Sequence, residues 1–265
     1  MAAKKSPDKP KNSVAAARGG KSRGGVRLFW EGFKSLAGTI AIFLVLRTFF
    51  VEAYRIPSGS MIPTMLIGDW LFVNKLVYGP HLPFTHVSLP GYADPNRGDI
   101  VVFESPYQAD EARDGNDPTP TLVKRLIGMP GDTLYGREGV VYINGLAQRQ
   151  GYTSPEQTKG DGESVNEDFD WQKKAGLAAS RFGAAPAQPK LDTWGPFVVP
   201  PGHYFMMGDN RYNSKDSRFW GFVPRANVRG RPLFVYYSYV PAEESDRAVS
   251  FITDIRWGRI GHWIK

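Results

Sequence analysis

An apolar run lies near the N-terminus of the 265-residue chain, where residues 35–46 read Ser-Leu-Ala-Gly-Thr-Ile-Ala-Ile-Phe-Leu-Val-Leu. By itself the run is shorter than the ~20 residues that a spanning helix needs. Residues 28–51 reach that length if Arg47 is included, and an arginine near a helix end can extend its charge to the membrane surface. We therefore predict a transmembrane helix over residues 28–52. An interfacial or core helix is the alternative, and no Ala-x-Ala sequence follows that would indicate a cleaved leader.

Beyond residue 52, apolar positions fall in short stretches that are rich in β-branched and aromatic residues and are separated by Pro, Gly and Asp-Asn. The predicted strands are residues 70–78, 100–104, 121–127, 132–135, 140–143, 197–199, 203–207 and 233–239, with a turn at 136–139. This pattern is typical of a mainly β protein. We expect an antiparallel β-sheet domain formed by residues 53–146 and 197–265.

Two segments break the strand pattern. Residues 105–120 are polar, and residues 147–196 are rich in Gly, Ala, Lys and acidic residues, with a weak helical period near 171–180. Long stretches of this kind inside a domain are often insertions. We predict that residues 147–196 form an inserted subdomain that contributes little to the core.

The net charge of +7 is located entirely in residues 1–27, which carry eight basic residues against Asp8, while the rest of the chain is balanced. A basic tail before an apolar run is the usual signal for cytoplasmic retention of the tail, so we expect the domain after residue 52 on the outer face of the membrane. The tail's composition predicts disorder. We expect no nucleic-acid partner, although a basic tail is also found in proteins that bind nucleic acid.

Two stretches contain a serine and a lysine that are candidate catalytic groups. Ser60 lies in the turn Pro57-Ser58-Gly59-Ser60-Met61, which taken alone is an ordinary turn. Lys124 lies between Leu122-Val123 and Leu126-Ile127; it is either buried or a surface lysine with a packed stem. Burial can lower a lysine pKa by about 3–5 units, and a neutral lysine can activate a serine hydroxyl.

Other kinds of catalytic group are poorly supported. Cysteine is absent, which excludes disulfides, zinc–cysteine sites and a cysteine nucleophile. None of the four histidines, His81, His86, His203 and His262, lies in the Ser60 or Lys124 stretch. The polar stretch 208–218 does not fit a calcium loop, because Arg211 occupies the third position from Asp209. We expect no metal and no cofactor; a structural loop with carboxylate–arginine pairs is the alternative for 208–218.

The Ser60 turn, Asp99-Ile-Val-Val-Phe, the Lys124 stretch and the Gly208-Asp-Asn-Arg stretch resemble, in this order and behind an anchor, the boxes of bacterial type I signal peptidases, also called leader peptidases. The resemblance implies a Ser–Lys serine endopeptidase in which Ser60 is the nucleophile and Lys124 the general base. It implies that the Ser58 hydroxyl and the Ser60 backbone N–H stabilise the oxyanion.

The resemblance also assigns supporting residues. Ser214 is expected to orient Lys124, and Asp216 to pair with Arg218 and brace the site. Tyr212 departs from the pattern, since many relatives have an acidic residue there. Four apolar residues flank the reactive pair and are candidate walls of the substrate pocket, or plain core residues: Ile56, Met61, Leu122 and Val123.

The function implied is removal of N-terminal signal peptides from exported preproteins by an enzyme in the bacterial inner membrane, through an acyl-enzyme. Its partners are then preproteins with small residues before the cut, and membrane lipid. Two alternatives are a specialised Ser–Lys processing peptidase of the conjugation type and a non-catalytic binding protein anchored in the envelope. A catalytic role requires Ser60 Oγ and Lys124 Nζ within hydrogen-bond distance, with Lys124 shielded from water.

Overall fold

The apolar N-terminal run forms helix α1 (Arg23–Val45), which continues as a π-helical turn, Leu46–Phe50. The structure is a computed structural model and describes residues 23–81, 87–106, 121–148, 169–177, 180–242 and 249–265. Residues 27–50 are long and apolar enough to cross a membrane. The predicted helix is therefore present, but the predicted tail is wrong at residues 23–27, which are helical. An i,i+4 ion pair between Arg27 and Glu31 supports this end of the helix. Residues 1–22 of the tail lie outside the described residues.

The chain after the helix is mainly β, as predicted, and every pair of strands in the described residues is antiparallel. The strands are β1 (Val51–Arg55), β2 (Asp69–Asn74), β3 (Ile100–Glu104), β4 (Thr121–Gly128), β5 (Thr133–Arg137), β6 (Val140–Ile143), β7 (Leu146–Gln148), β8 (Trp194–Val198), β9 (His203–Met207), β10 (Val223–Pro224) and β11 (Val228–Ser238). One sheet has the order β1-β2-β11-β3-β4-β9-β10, and a second has β7-β6-β5-β8. Short helices are α2 (Asp170–Ala175), α3 (Ser217–Trp220) and α4 (Ser250–Thr253).

Several predicted strand bounds are wrong for identifiable reasons. β1 begins at Val51, inside the predicted anchor, because Val51–Arg55 pairs along its whole length with β2. β11 begins five residues earlier than predicted, since register shifts accommodate Gly230 and Pro232 within the strand. The predicted turn at 136–139 is shorter, because Gly136 belongs to β5.

Trp194 explains why residue 136 is a glycine. It also shows why one prediction about the insertion is wrong. The Trp194 indole packs over Gly136, where an added Cβ would overlap it. Trp194 is 1% exposed and belongs to a buried cluster with Phe197 and Phe205. The expectation that 147–196 contributes little to the core is therefore wrong at its C-terminal end, and Phe169 near α2 is also buried. Residues 107–120, 149–168 and 178–179 lie outside the described residues.

Candidate active site

Ser60 lies in a 3₁₀ turn, Gly59–Met61, that follows the extended residue Ser58. Its side chain is buried, and the turn is held from outside by Asn210. The Asn210 backbone N–H donates to the Ser60 carbonyl at 3.0 Å, and its side-chain amide donates to the Gly59 carbonyl at 3.2 Å. The polar stretch 208–218 thus fixes the backbone on which Ser60 sits.

Lys124 lies on β4, where it pairs with Val101 of β3. The lysine is only 4% exposed, and its Nζ donates a hydrogen bond to Ser60 Oγ at 2.6 Å. Burial lowers the pKa of Lys124 from 10.5 to about 8, although the carboxylate of Asp216 acts in the opposite direction. The structure therefore buries the lysine and places it against the predicted serine, which meets the geometric condition for a catalytic pair.

Ser58 is exposed at the edge of this arrangement. Its Oγ lies 3.5 Å from Ser60 Oγ. The structure brings Ser58 to the pair. Its proposed contact with an oxyanion stays a prediction.

Asp216 and Arg218 form the expected ion pair behind the site. Arg218 Nε and Nη2 donate to the two carboxylate oxygens of Asp216, each at 2.8 Å, and both side chains are buried. The Gly208 N–H also donates to Asp216 at 3.1 Å. Burial raises the pKa of Asp216, but the Arg218 guanidinium and these hydrogen bonds outweigh it, so the pKa lies below its usual range.

Ser214 does not take the predicted place. Its Oγ is buried without a hydrogen-bond partner among the described residues, so the expected bond to Lys124 is not formed. The hydroxyl packs instead against Gly208, where any added Cβ would overlap it. The expected role of Ser214 in orienting Lys124 is therefore not met by this geometry, and Asn210 and Asp216 make the contacts that hold the loop.

The sequence patterns did not reveal a second ion pair, which joins the Ser60 turn, the Lys124 stretch and the polar stretch 208–218. Arg125 donates to Asp209 through Nε at 2.7 Å and Nη2 at 2.6 Å, and Thr64 Oγ1 donates to the same carboxylate at 2.5 Å. Arg125 follows Lys124, and Thr64 lies four residues after Ser60. Asp209 therefore ties the lysine strand to the serine turn. The polar density of 208–218 was the available signal, but it did not identify the partners.

A cleft opens on the serine–lysine pair and is partly open to solvent. All four predicted pocket residues line it, together with Ser58, Ser60 and Lys124. The full apolar lining is Tyr54, Ile56, Pro57, Met61, Leu71, Val102, Leu122 and Val123. Tyr54 was not predicted; its hydroxyl donates to Glu52 at 2.9 Å, which fixes the ring at the cleft wall. In the described residues no group of His, Asp and Glu side chains is arranged to hold a metal ion.

Comparison of the sequence with known proteins places this chain in a family. A family model described as "Signal peptidase, peptidase S26" matches residues 29–237. Signal peptidase I of Pseudomonas aeruginosa is 37% identical over 223 residues, covering 80% of this chain and 74% of the relative. Signal peptidase I of Aquifex aeolicus is 34% identical over 224 residues, covering 74% and 79%. The crystal structure of a signal peptidase I from Enterococcus faecalis is 33% identical, with a TM-score of 0.29 over 52% of this chain and 96% of that one. The chain therefore belongs to the signal peptidase family of serine endopeptidases, peptidase S26.

Proposed function

We propose that this member of the signal peptidase family removes signal peptides from exported preproteins with Ser60 as nucleophile and Lys124 as general base. The observation that carries the proposal is the 2.6 Å hydrogen bond between Ser60 Oγ and the Nζ of a buried lysine. A serine hydroxyl needs a base beside it, and a lysine serves only when it is neutral. The lowered pKa of Lys124, about 8, makes the neutral amine accessible near physiological pH.

In the proposed mechanism, neutral Lys124 accepts the Ser60 proton as Oγ attacks the scissile carbonyl. The oxyanion that forms is stabilised by the Ser58 hydroxyl and the Ser60 backbone N–H. The protonated lysine then gives its proton to the leaving amine as the C–N bond breaks, which leaves an ester between Ser60 and the signal peptide. Water, deprotonated by Lys124, hydrolyses the ester and restores the enzyme. The Asp216–Arg218 pair braces the loop that holds Ser60.

An unpaired strand edge supports binding of an extended substrate. β4 pairs with β3 along Thr121–Lys124, but it pairs with β9 only from Arg125 onward. The other edge of Thr121–Lys124 therefore has no partner among the described strands. A peptide added at this edge would place alternate side chains against the cleft wall formed by Ile56 and Val123. The lining of the cleft beside Ser60 is largely apolar, which suits the small residues expected before the cut.

The proposed topology follows from charge and the apolar helix. Residues 27–50 span the inner membrane once, the basic tail stays in the cytoplasm, and the β domain lies on the outer face. Ser60 follows the last helical residue, Phe50, by only ten positions, which favours action close to the membrane. The predicted anchor, 28–52, is therefore shortened at its C-terminal end, because Val51 and Glu52 belong to β1. The catalytic core is 53–146 and 197–265, and 147–196 is an insertion whose C-terminal end packs in the core.

Cleavage of a preprotein by the purified, detergent-solubilised chain tests the proposal. Ser60→Ala and Lys124→Ala should each abolish cleavage, whereas the exposed-residue controls Ser88→Ala and Lys174→Ala should retain it. Retained cleavage by either site variant would contradict the assignment of Ser60 as nucleophile and Lys124 as general base. The test also separates the alternatives: a binding protein would cleave nothing, and a conjugation-type peptidase would leave ordinary preproteins uncut. The family comparisons favour neither alternative.

A further inference from the structure

Two side chains of α2, within the inserted segment, donate hydrogen bonds to the same backbone oxygen. Trp171 Nε1 donates to the Arg218 carbonyl at 2.8 Å, and Gln172 Nε2 donates to it at 2.5 Å. Gln172 is only 2% exposed. A carbonyl oxygen accepts two hydrogen bonds at most in good geometry, so these two residues satisfy the acceptor fully. The main chain at Arg218 is thereby tied to the insertion.

The side chain of the same arginine is also held by the insertion. Arg218 Nη1 donates to the Leu191 carbonyl at 3.2 Å, while Nε and Nη2 donate to the Asp216 carboxylate. Arg218 is thus fixed at its carbonyl by α2 and at its guanidinium by the segment before β8. The guanidinium is planar, so fixing one edge of it sets the direction in which the other edge meets Asp216.

Packing extends the contact beyond these bonds. The Phe169 and Phe219 rings lie 5.3 Å apart, and the Trp171 and Phe222 rings 5.5 Å apart. The polar side chain of Gln172 is not needed for such packing. Its Oε1 has no partner among the described residues, and a half-satisfied buried amide is less favourable than an apolar side chain of the same shape. The amide is therefore explained by its bond to Arg218 rather than by stability.

Arg218 connects this contact to the catalytic pair. It pairs with Asp216, which accepts the Gly208 N–H, and Gly208 begins the loop whose Asn210 holds the Ser60 carbonyl. We infer that Trp171 and Gln172 are positioning residues of the signal peptidase site, which fix Arg218 so that the 208–218 loop holds Ser60 against Lys124. The inference rests on the proposed function and gives the insertion a role in it.

The double variant W171F/Q172M tests this inference, because it removes both donors while it keeps an aromatic ring and a side chain of similar length. Loss of two neutral hydrogen bonds should lower kcat for preprotein cleavage about tenfold. KM should be unchanged, since neither residue lines the cleft. The single variant Gln172→Met, which leaves the Trp171 donor in place, should lose less, and it carries the same test if the double variant does not fold. Lys174→Ala on the exposed side of α2 is the matched control.

A double-mutant comparison separates positioning from general destabilisation. In an Arg218→Lys background, the planar two-point contact with Asp216 is already lost, so W171F/Q172M should lower kcat by less than twofold further. The inference is overturned if kcat of the double variant stays within twofold of wild type, or if the tenfold loss recurs unchanged in the Arg218→Lys background. Cleavage by Ser60→Ala, measured in parallel, distinguishes failure of the proposed function from failure of this inference alone.

Discussion

Replacing Lys124 with methionine should abolish cleavage and, at neutral pH, stabilise the fold. The pKa of Lys124 falls from 10.5 to about 8 on folding, so holding the charged form in the folded protein costs about 3 kcal/mol. Loss of the hydrogen bond to Ser60 offsets about 1 kcal/mol of the gain. The net gain in the free energy of unfolding at pH 7 is therefore about 2 kcal/mol, or roughly 4–8 °C in Tm for a domain of this size.

The gain in stability expected for Lys124→Met should depend on pH. Because the folded pKa lies below the unfolded one, the penalty is complete below about pH 8 and disappears as pH rises toward 10.5. Thermal unfolding of the full chain in detergent should thus show a gain for Lys124→Met at pH 7 that is absent at pH 10. Lys174→Met, at an exposed position, should show no gain at either pH. A gain that does not depend on pH, or no gain at pH 7, would refute the reasoning.

Three further predictions concern the surroundings of the pair. Ser58→Ala should lower kcat by about a hundredfold with KM unchanged, as loss of one oxyanion donor does elsewhere, and a loss below threefold in steady-state assays would remove Ser58 from that role. Asp209→Asn leaves Arg125 without its buried partner and should destabilise the fold by about 3 kcal/mol, which denaturant unfolding measures; a change under 1 kcal/mol would contradict the bridging role. Ile56→Ala enlarges the cleft and should raise kcat/KM for a substrate with Leu before the cut, relative to Ala, by about tenfold, whereas an unchanged ratio would place Ile56 outside the pocket.

The strands were predictable because local sequence carries their signals, whereas the serine–lysine pair was predicted from the resemblance of four stretches to a known family. β3 and β9 match the predicted bounds, since alternation and β-branched composition act within a few residues. The apolar neighbours of Lys124 left its burial open, and the structure shows that it is buried. The pocket residues were predicted from their positions in the sequence, because Leu122 and Val123 adjoin the lysine and Ile56 and Met61 adjoin the serine.

The rest depends on contacts between distant residues. Asp209 pairs with Arg125, which lies 84 positions away in the chain, and neither stretch contains a signal that predicts the pair. Ser214 shows the converse: a residue assigned by resemblance packs against Gly208 rather than Lys124. Trp194 lay in a segment whose composition indicated an insertion, yet its ring completes a core cluster. Local composition describes an element, whereas the burial of a side chain is set by the elements that pack against it.

The pH dependence of kcat/KM tests the central claim most directly, because it reports the pKa of the essential base in the free enzyme. Cleavage of a preprotein by the detergent-solubilised chain should be measured from pH 6 to 10. The account predicts a rise with pH whose midpoint is at about pH 8, where Lys124 loses its proton, and a plateau above that pH. A midpoint near 6.5, typical of histidine, or near 10.4, typical of an exposed lysine, would contradict a buried neutral Lys124 as the base.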